Sequence, residues 1–191
     1  MKNKVVFLDR DGTINVEKNY LYKIEDFEFL PGVKIALKIL QEAGYLLVIV
    51  TNQSGIGRGY YTEDDFSKLN HWMEDELKKD GIIINKVYYC PHFPEAKIEK
   101  YRKDCDCRKP ALGMYIRAEE ELKIDLSGSY AVGDKIRDCA ICDLTKCKGY
   151  LLANNERNEI IQDVKDGKVR NVEYASNLLE FAKKIVRGDM K

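Results

Sequence analysis

No excess of either charge marks this sequence: lysine plus arginine and aspartate plus glutamate each number 32 in 191 residues. Without a net positive field there is nothing to draw in a nucleic-acid backbone, so a polyanionic partner is not expected. Also missing is any long apolar stretch free of charged residues, although hydrophobic residues make up 45% of the chain. That absence excludes a membrane-spanning helix. The apolar run Val5 to Leu8 is too short for a signal-peptide core and is followed by charge. The protein is therefore expected in the cytoplasm. Cysteines are few, six in all. Two pairs stand out, Cys90-x-His92 and Cys105-x-Cys107, and in a reducing compartment such clusters suggest metal more than disulfide.

What is present is an alternation of short apolar runs with longer amphipathic segments, within a length that suits one compact domain. A strand is expected at Val5–Leu8, a helix after Pro31-Gly32, and a strand in the run Tyr45 to Val50. A second helix opens at Thr62, where Asp65 completes a capping box, and Phe66, Leu69, Trp72, Met73 and Leu77 fall on one face. Further strands are expected near Lys86–Tyr89, Tyr130–Gly133 and Gly149–Ala153, with a helix from about Ala111 to Lys123. This order predicts an α/β fold: a single doubly wound, Rossmann-like parallel sheet with helices on both faces. The polar stretch from Asn155 to Lys168 carries no assignable pattern; a last amphipathic helix begins after Ser176, with Leu178, Leu179, Ala182, Ile185 and Val186 inward.

In such a sheet ligands bind where strands end at their carboxyl side. The first strand ends in Asp9-Arg10-Asp11-Gly12-Thr13, two carboxylates followed by a glycine that permits a tight turn. Paired anions call for a cation, and a hard divalent ion such as magnesium suits oxygen ligands. The second strand ends in Thr51-Asn52-Gln53-Ser54-Gly55, which offers a hydroxyl, amides and backbone N–H groups to phosphoryl oxygens. Lys109 adds a positive charge, and Gly133-Asp134-Lys135, with Asp138 beyond, supplies the remaining carboxylates of a metal site.

These four segments resemble, in order, the motifs of the haloacid dehalogenase superfamily. The resemblance covers the chain to about Ala153. It implies that Asp9 attacks phosphorus to form an aspartyl-phosphate and that Asp11 acts as general acid and then base. It also implies that Thr51 and Lys109 hold the transferring group, and that magnesium sits on Asp9, Asp134 and the backbone carbonyl of Asp11. The intervals between motifs are largely occupied by helix and strand, so no cap domain is expected, and specificity must come from loops.

The most distinctive loop lies between the third strand and Lys109. Phe93 to Asp104 is mostly charged and needs a fastener; Cys90, His92, Cys105 and Cys107 fit a closed tetrahedral zinc site of structural type, inserted in the fold at about residues 90–107. Arg108 and Lys109 follow directly, so zinc would fix where they point. Together with Asp-Arg-Asp-Gly-Thr-Ile-Asn-Val, the stretch TNQSGIGRG and the GDK at 133 to 135, this loop is similar to that of the D-glycero-D-manno-heptose-1,7-bisphosphate 7-phosphatase family. That resemblance implies a small phosphorylated sugar as substrate, Glu17, Lys18, Asn19, Tyr20, Gln53, Ser54, Gly55 and Ile56 around the sugar, and Arg108, Lys109 and Lys135 on phosphate oxygens. The chain is expected to work as a monomer.

Three rivals share parts of the pattern. Histidinol-phosphate phosphatases resemble it in the four motifs and the zinc loop but differ after the first motif, where Asn15 to Tyr20 looks like the heptose version. A phospho-acceptor signalling domain would need the strand-end aspartate but neither Asp11 nor the zinc loop. A zinc-dependent binding module would not need Asp9. Cys139 and Cys142, and His71 beside Trp72, are read as ordinary structural positions rather than redox or ligand groups.

Overall fold

The computed structural model describes residues 2–153 and 158–189. Six parallel strands form one sheet in the order β3-β2-β1-β4-β5-β6: β1 Val5–Leu8, β2 Leu46–Asn52, β3 Lys86–Cys90, β4 Tyr130–Gly133, β5 Lys148–Leu152 and β6 Val172–Ala175. The helices are α1 Val33–Glu42, α2 Ser54–Arg58, α3 Glu63–Lys79, α4 Gly113–Leu122, α5 Asn158–Lys165 and α6 Leu178–Asp189, and a 3-10 helix runs over Ile136–Asp143.

Period-two alternation explains why the apolar runs are continuous. Val6 and Leu8 of β1 face one layer with α1, α6 and the Met73–Leu77 end of α3. Val5 and Phe7 face the other, packed with Met114, Tyr115 and Ala118 of α4 and with Ile161 and Val164 of α5. A strand covered on both faces has no solvated side to carry polar residues. The chain folds α3 from the expected cap: Thr62 N–H donates to Asp65 Oδ2 (2.9 Å) and Asp65 N–H returns to Thr62 Oγ (3.1 Å).

Register places the strand ends level. Leu8 pairs with Ile49 of β2 and Val132 of β4, so Asp9 emerges beside Val50 and Gly133. The order of the strands reverses between β1 and β4, which makes that point a crevice for ligands. Among the described residues no separate cap covers it, and the segment carrying Cys90 to Cys107 is inserted between β3 and α4. The sequence pattern left residues 155–168 unassigned; the structure adds α5 there and, beyond it, β6, paired in parallel with β5. Residues 155–157 of that stretch, and residue 154 before it, lie outside the described residues. Phe181, fully buried among the sheet-facing residues of α6, also escaped the sequence pattern.

Candidate active site

At the β1/β4 crevice three carboxylates meet. One oxygen each from Asp9, Asp134 and Asp138 lies within 4.8 Å of the others, and all three residues are buried. The glycines beside them permit this approach. A Cβ on Gly12, which adopts φ +82°, would stand 2.4 Å from Asp134 Oδ2, and one on Gly133 would stand 2.2 Å from Asp138 Oδ2. Burying three anions together is costly unless cations join them. One cation is Lys109, only 2% exposed, whose Nζ lies 2.9 Å from Asp9 Oδ1, 2.7 Å from Asp138 Oδ1 and 2.6 Å from the carbonyl of Val50. Burial alone would discharge this lysine; the Asp138 and Asp9 carboxylates outweigh it and raise its pKa. Lys135 reaches Asp134 Oδ2 at 3.0 Å.

Even with Lys109 beside it, burial and the charges of Asp138 and Asp11 push the Asp9 carboxyl up to about 6. A group so poised gains from a further cation, and the oxygen-only donor set of Asp9, Asp134 and Asp138 fits a hard divalent ion. The Asp11 carboxylate lies apart from this trio, receiving Asn15 Nδ2 at 3.0 Å and Gln53 Nε2 at 2.9 Å in addition to its pairing with Arg10.

The other expected residues take several positions. Thr51, buried at the end of β2, accepts from Gln53 Nε2 at 3.0 Å. Asn52 clamps the backbone of Lys109 through both ends of its amide: Lys109 N–H donates to Oδ1 (2.9 Å), and Nδ2 donates to the Lys109 carbonyl (3.0 Å). Asp11, Glu17, Asn19, Tyr20, Asn52, Gln53, Ser54 and Arg108 line one cavity, joined by Arg58, Tyr61 and Arg137. Gly55 and Ile56 are buried, with Ile56 packed against Tyr61 and Phe66. Lys18 pairs with Glu28 at 3.5 Å and is not among the cavity-lining residues.

Arg10, Arg58, Tyr61 and Arg137 had not been singled out from the sequence. Arg58 and Arg137 stand beside Arg108, whose pKa is lowered by burial and by those two guanidinium groups. The guanidinium carbon of Arg58 sits 3.8 Å from the centre of the Phe93 ring, and that of Arg108 5.5 Å from it. The buried Nε of Arg58 has no hydrogen-bond partner among the described residues. Three guanidinium groups that form no ion pair among the described residues are a place for an anion, although Asp11 and Glu17 line the same cavity.

The second cluster joins Cys90, His92, Cys105 and Cys107, whose ligand atoms also lie within 4.8 Å of one another. Sulfur-to-sulfur distances are 3.1, 3.4 and 3.6 Å, and His92 Nδ1 lies 3.2 Å from Cys107 Sγ. All six cysteines are free. For zinc–sulfur bonds of about 2.3 Å a tetrahedron has sulfur edges of roughly 3.8 Å, so the set is slightly tighter than, but close to, the size that zinc needs. The Arg108 guanidinium donates to the backbone carbonyl of His92 at 3.4 Å. Cys139, Cys142 and Cys147 are buried in the hydrophobic layer under α4 and α5, and His71 is exposed with Ser67 as its neighbour at 3.4 Å.

Comparison with known proteins gives the same direction. Residues 4–178 match a family model described as polynucleotide kinase 3 phosphatase. The D-glycero-β-D-manno-heptose-1,7-bisphosphate 7-phosphatase of Haemophilus ducreyi is 50% identical over 153 residues, covering 80% of this chain and 84% of the relative. The enzyme of that name from Pasteurella multocida is 42% identical over 97% of both chains. A solved structure of the D,D-heptose 1,7-bisphosphate phosphatase of B. bronchiseptica, complexed with magnesium and phosphate, superposes with a TM-score of 0.83 at 27% identity, covering 97% of this chain and 99% of that one. No helix among the described residues is long and apolar enough to cross a membrane. With its strand-end carboxylates, its match to the polynucleotide kinase 3 phosphatase model and a relative half identical over four-fifths of its length, this chain belongs to the haloacid dehalogenase superfamily, and within it to the D-glycero-β-D-manno-heptose-1,7-bisphosphate 7-phosphatase family.

Proposed function

We propose that this protein hydrolyses the phosphate on carbon 7 of D-glycero-D-manno-heptose 1,7-bisphosphate, leaving the sugar 1-phosphate for nucleotide activation. The observation that carries the reading is a single cavity with the Asp11 carboxylate and three arginines, Arg58, Arg108 and Arg137, in its lining. A substrate with a phosphate at each end suits it: one end for the buried carboxylates and Lys109, the other for the guanidinium groups. The relatives named above carry this substrate in their names, which supports the same choice here.

Asp9 is proposed as the nucleophile. Its carboxylate oxygen bonds to phosphorus while the bond from phosphorus to the C7 oxygen breaks, and Asp11 gives that leaving oxygen a proton. Asp11 then takes a proton from a water that attacks the aspartyl-phosphate; inorganic phosphate leaves and Asp9 is restored. Lys109 and Thr51 orient the phosphoryl oxygens, and Asn52 fixes Lys109 through its backbone. Magnesium would be held at the cluster of Asp9, Asp134 and Asp138, with the Asp11 carbonyl as a further ligand by resemblance, and would supply positive charge against the repulsion between the Asp9 carboxylate and the anionic ester. Cys90, His92, Cys105 and Cys107 would hold zinc, which would act as a structural clamp ahead of Arg108 and Lys109. The chain is proposed to act as one domain and as a monomer, since it supplies both clusters by itself, and its unbridged thiols suit the cytoplasm.

Phosphate release from the heptose bisphosphate and from histidinol phosphate, each with magnesium, tests the reading. A higher kcat/KM for the heptose bisphosphate is expected; a higher value for histidinol phosphate would overturn it.

A further inference from the structure

Arg10 lies between the two motif aspartates and is completely buried, at 0% exposure. Its side chain does not serve the carboxylate trio. Nε and one terminal nitrogen reach Asp11 Oδ1 at 3.2 and 3.0 Å, and the same terminal nitrogen reaches Asp11 Oδ2 at 3.0 Å. The far side of the guanidinium is held as firmly. Its other terminal nitrogen donates to Asn70 Oδ1 of α3 at 3.3 Å, and its face lies 5.3 Å from the centre of the Phe66 ring. The terminal nitrogen that serves Asp11 also donates to the carbonyl of Leu21, at the end of the loop that carries Glu17 to Tyr20.

A planar fork fixes both the position and the rotation of a carboxylate, which a lysine ammonium does not. Asp11 remains 16% exposed toward the cavity while Arg10 grips it from the buried side. We infer that Arg10 is a positioning residue: anchored on α3 and on the substrate loop, it holds the plane of the Asp11 carboxylate so that one edge faces the reacting ester. This rests on the proposal that Asp11 transfers the proton. Arg10 itself touches no substrate, and the transferred proton passes between Asp11 and the C7 oxygen or water without it. The anchoring also sets Asp11 in register with the loop whose Asn19 and Tyr20 line the same cavity.

The test is a double-mutant cycle on steady-state hydrolysis of the sugar bisphosphate. Misplacing a reacting group by about 1 Å costs on the order of a hundredfold, so Arg10→Met is expected to lower kcat by about that factor with KM changed less than about twofold. Arg10→Lys, which keeps charge but loses the fork, should fall between. In an Asp11→Asn background, Arg10→Met should cause no further loss, because its effect runs through Asp11. Asn70→Leu loosens the far anchor without touching the crevice and provides the same reading, a partial loss of kcat, should Arg10→Met fail to fold by its melting curve. Wild-type kcat in the folded Arg10 and Asn70 variants would overturn the inference, as would an equal further loss in the Asp11→Asn background. Full turnover by Asp11→Asn alone would instead overturn the acid–base reading of Asp11, and the inference with it.

Discussion

Lys109 Nζ lies 2.9 Å from Asp9 Oδ1, across a separation of 100 residues in the chain. The contact joins the end of β1 to the start of the segment leading into α4, and it neutralises a carboxylate that the fold has taken out of water. Because Lys109 also serves Asp138 at 2.7 Å, removing it leaves two facing buried anions. Breaking a buried pair in this way costs about 3–5 kcal/mol. Lys109→Met should therefore lose that much stability in urea denaturation without added metal, along with its turnover. An unchanged unfolding midpoint would show that the lysine does not hold the pair together.

Asp9 also sets a pH dependence for the magnesium-free protein. Burial first, then the charges of Asp138 and Asp11 against the pull of Lys109, move its pKa from 3.8 to about 6. An acid whose folded value is raised takes up protons on folding, so its stabilising share is complete below 3.8 and lost as pH rises through 6. Melting temperatures in magnesium-free buffer should fall across that window in the wild type, and Asp9→Asn should flatten the fall. Magnesium at neutral pH should raise the wild-type melting point more than that of Asp9→Asn. Parallel curves for the two proteins would remove Asp9 as the cause.

Much of this arrangement could be read before any coordinates. Hydrophobic runs bounded by glycine and motif residues marked five strands, and the capping box at Thr62 and Asp65 marked the start of α3, because these signals are local. Asp9, Thr51 and Asp134 fall at one end of the sheet because strand register levels them, whereas Lys109 is brought there by the Asn52 clamp and its ion pairs. What was not legible depended on tertiary contact. Arg10 looked like an ordinary charge inside a motif; its burial follows only from α3 crossing beside it. Arg58 and Arg137 come from separate segments with no shared pattern, and meet Arg108 through topology. The strand β6 is four residues long and follows a polar helix, so its alternation was too brief to register without β5 beside it.

The arginine cluster predicts how affinity divides between the two ends of the substrate. Arg58→Ala removes a guanidinium that stacks on Phe93 and lines the cavity. It should raise KM for the bisphosphate about tenfold, near 1.4 kcal/mol, and leave KM for a simple monophosphate ester nearly unchanged. Phe93→Ala should act in the same direction by releasing Arg58 and Arg108. Equal changes with both substrates would argue that these residues serve stability rather than the distal phosphate.

The cysteine cluster predicts one zinc per chain by elemental analysis, lost in Cys107→Ser. Without it the charged segment from Phe93 to Asp104 has little to fold on, and protease should cut there first. Since Arg108 and Lys109 follow the last ligand, turnover should fall together with zinc content. A chain that binds no zinc and still resists cleavage would refute the clamp.

The most direct measurement is a single-turnover reaction with substrate labelled in its C7 phosphate, quenched in acid and treated with borohydride, which reduces an acyl-phosphate in place. Label should pass through the protein on the timescale of kcat, with reduction confined to Asp9. Phosphate release at the full rate with no labelled protein, or reduction at any other carboxylate, would contradict the account.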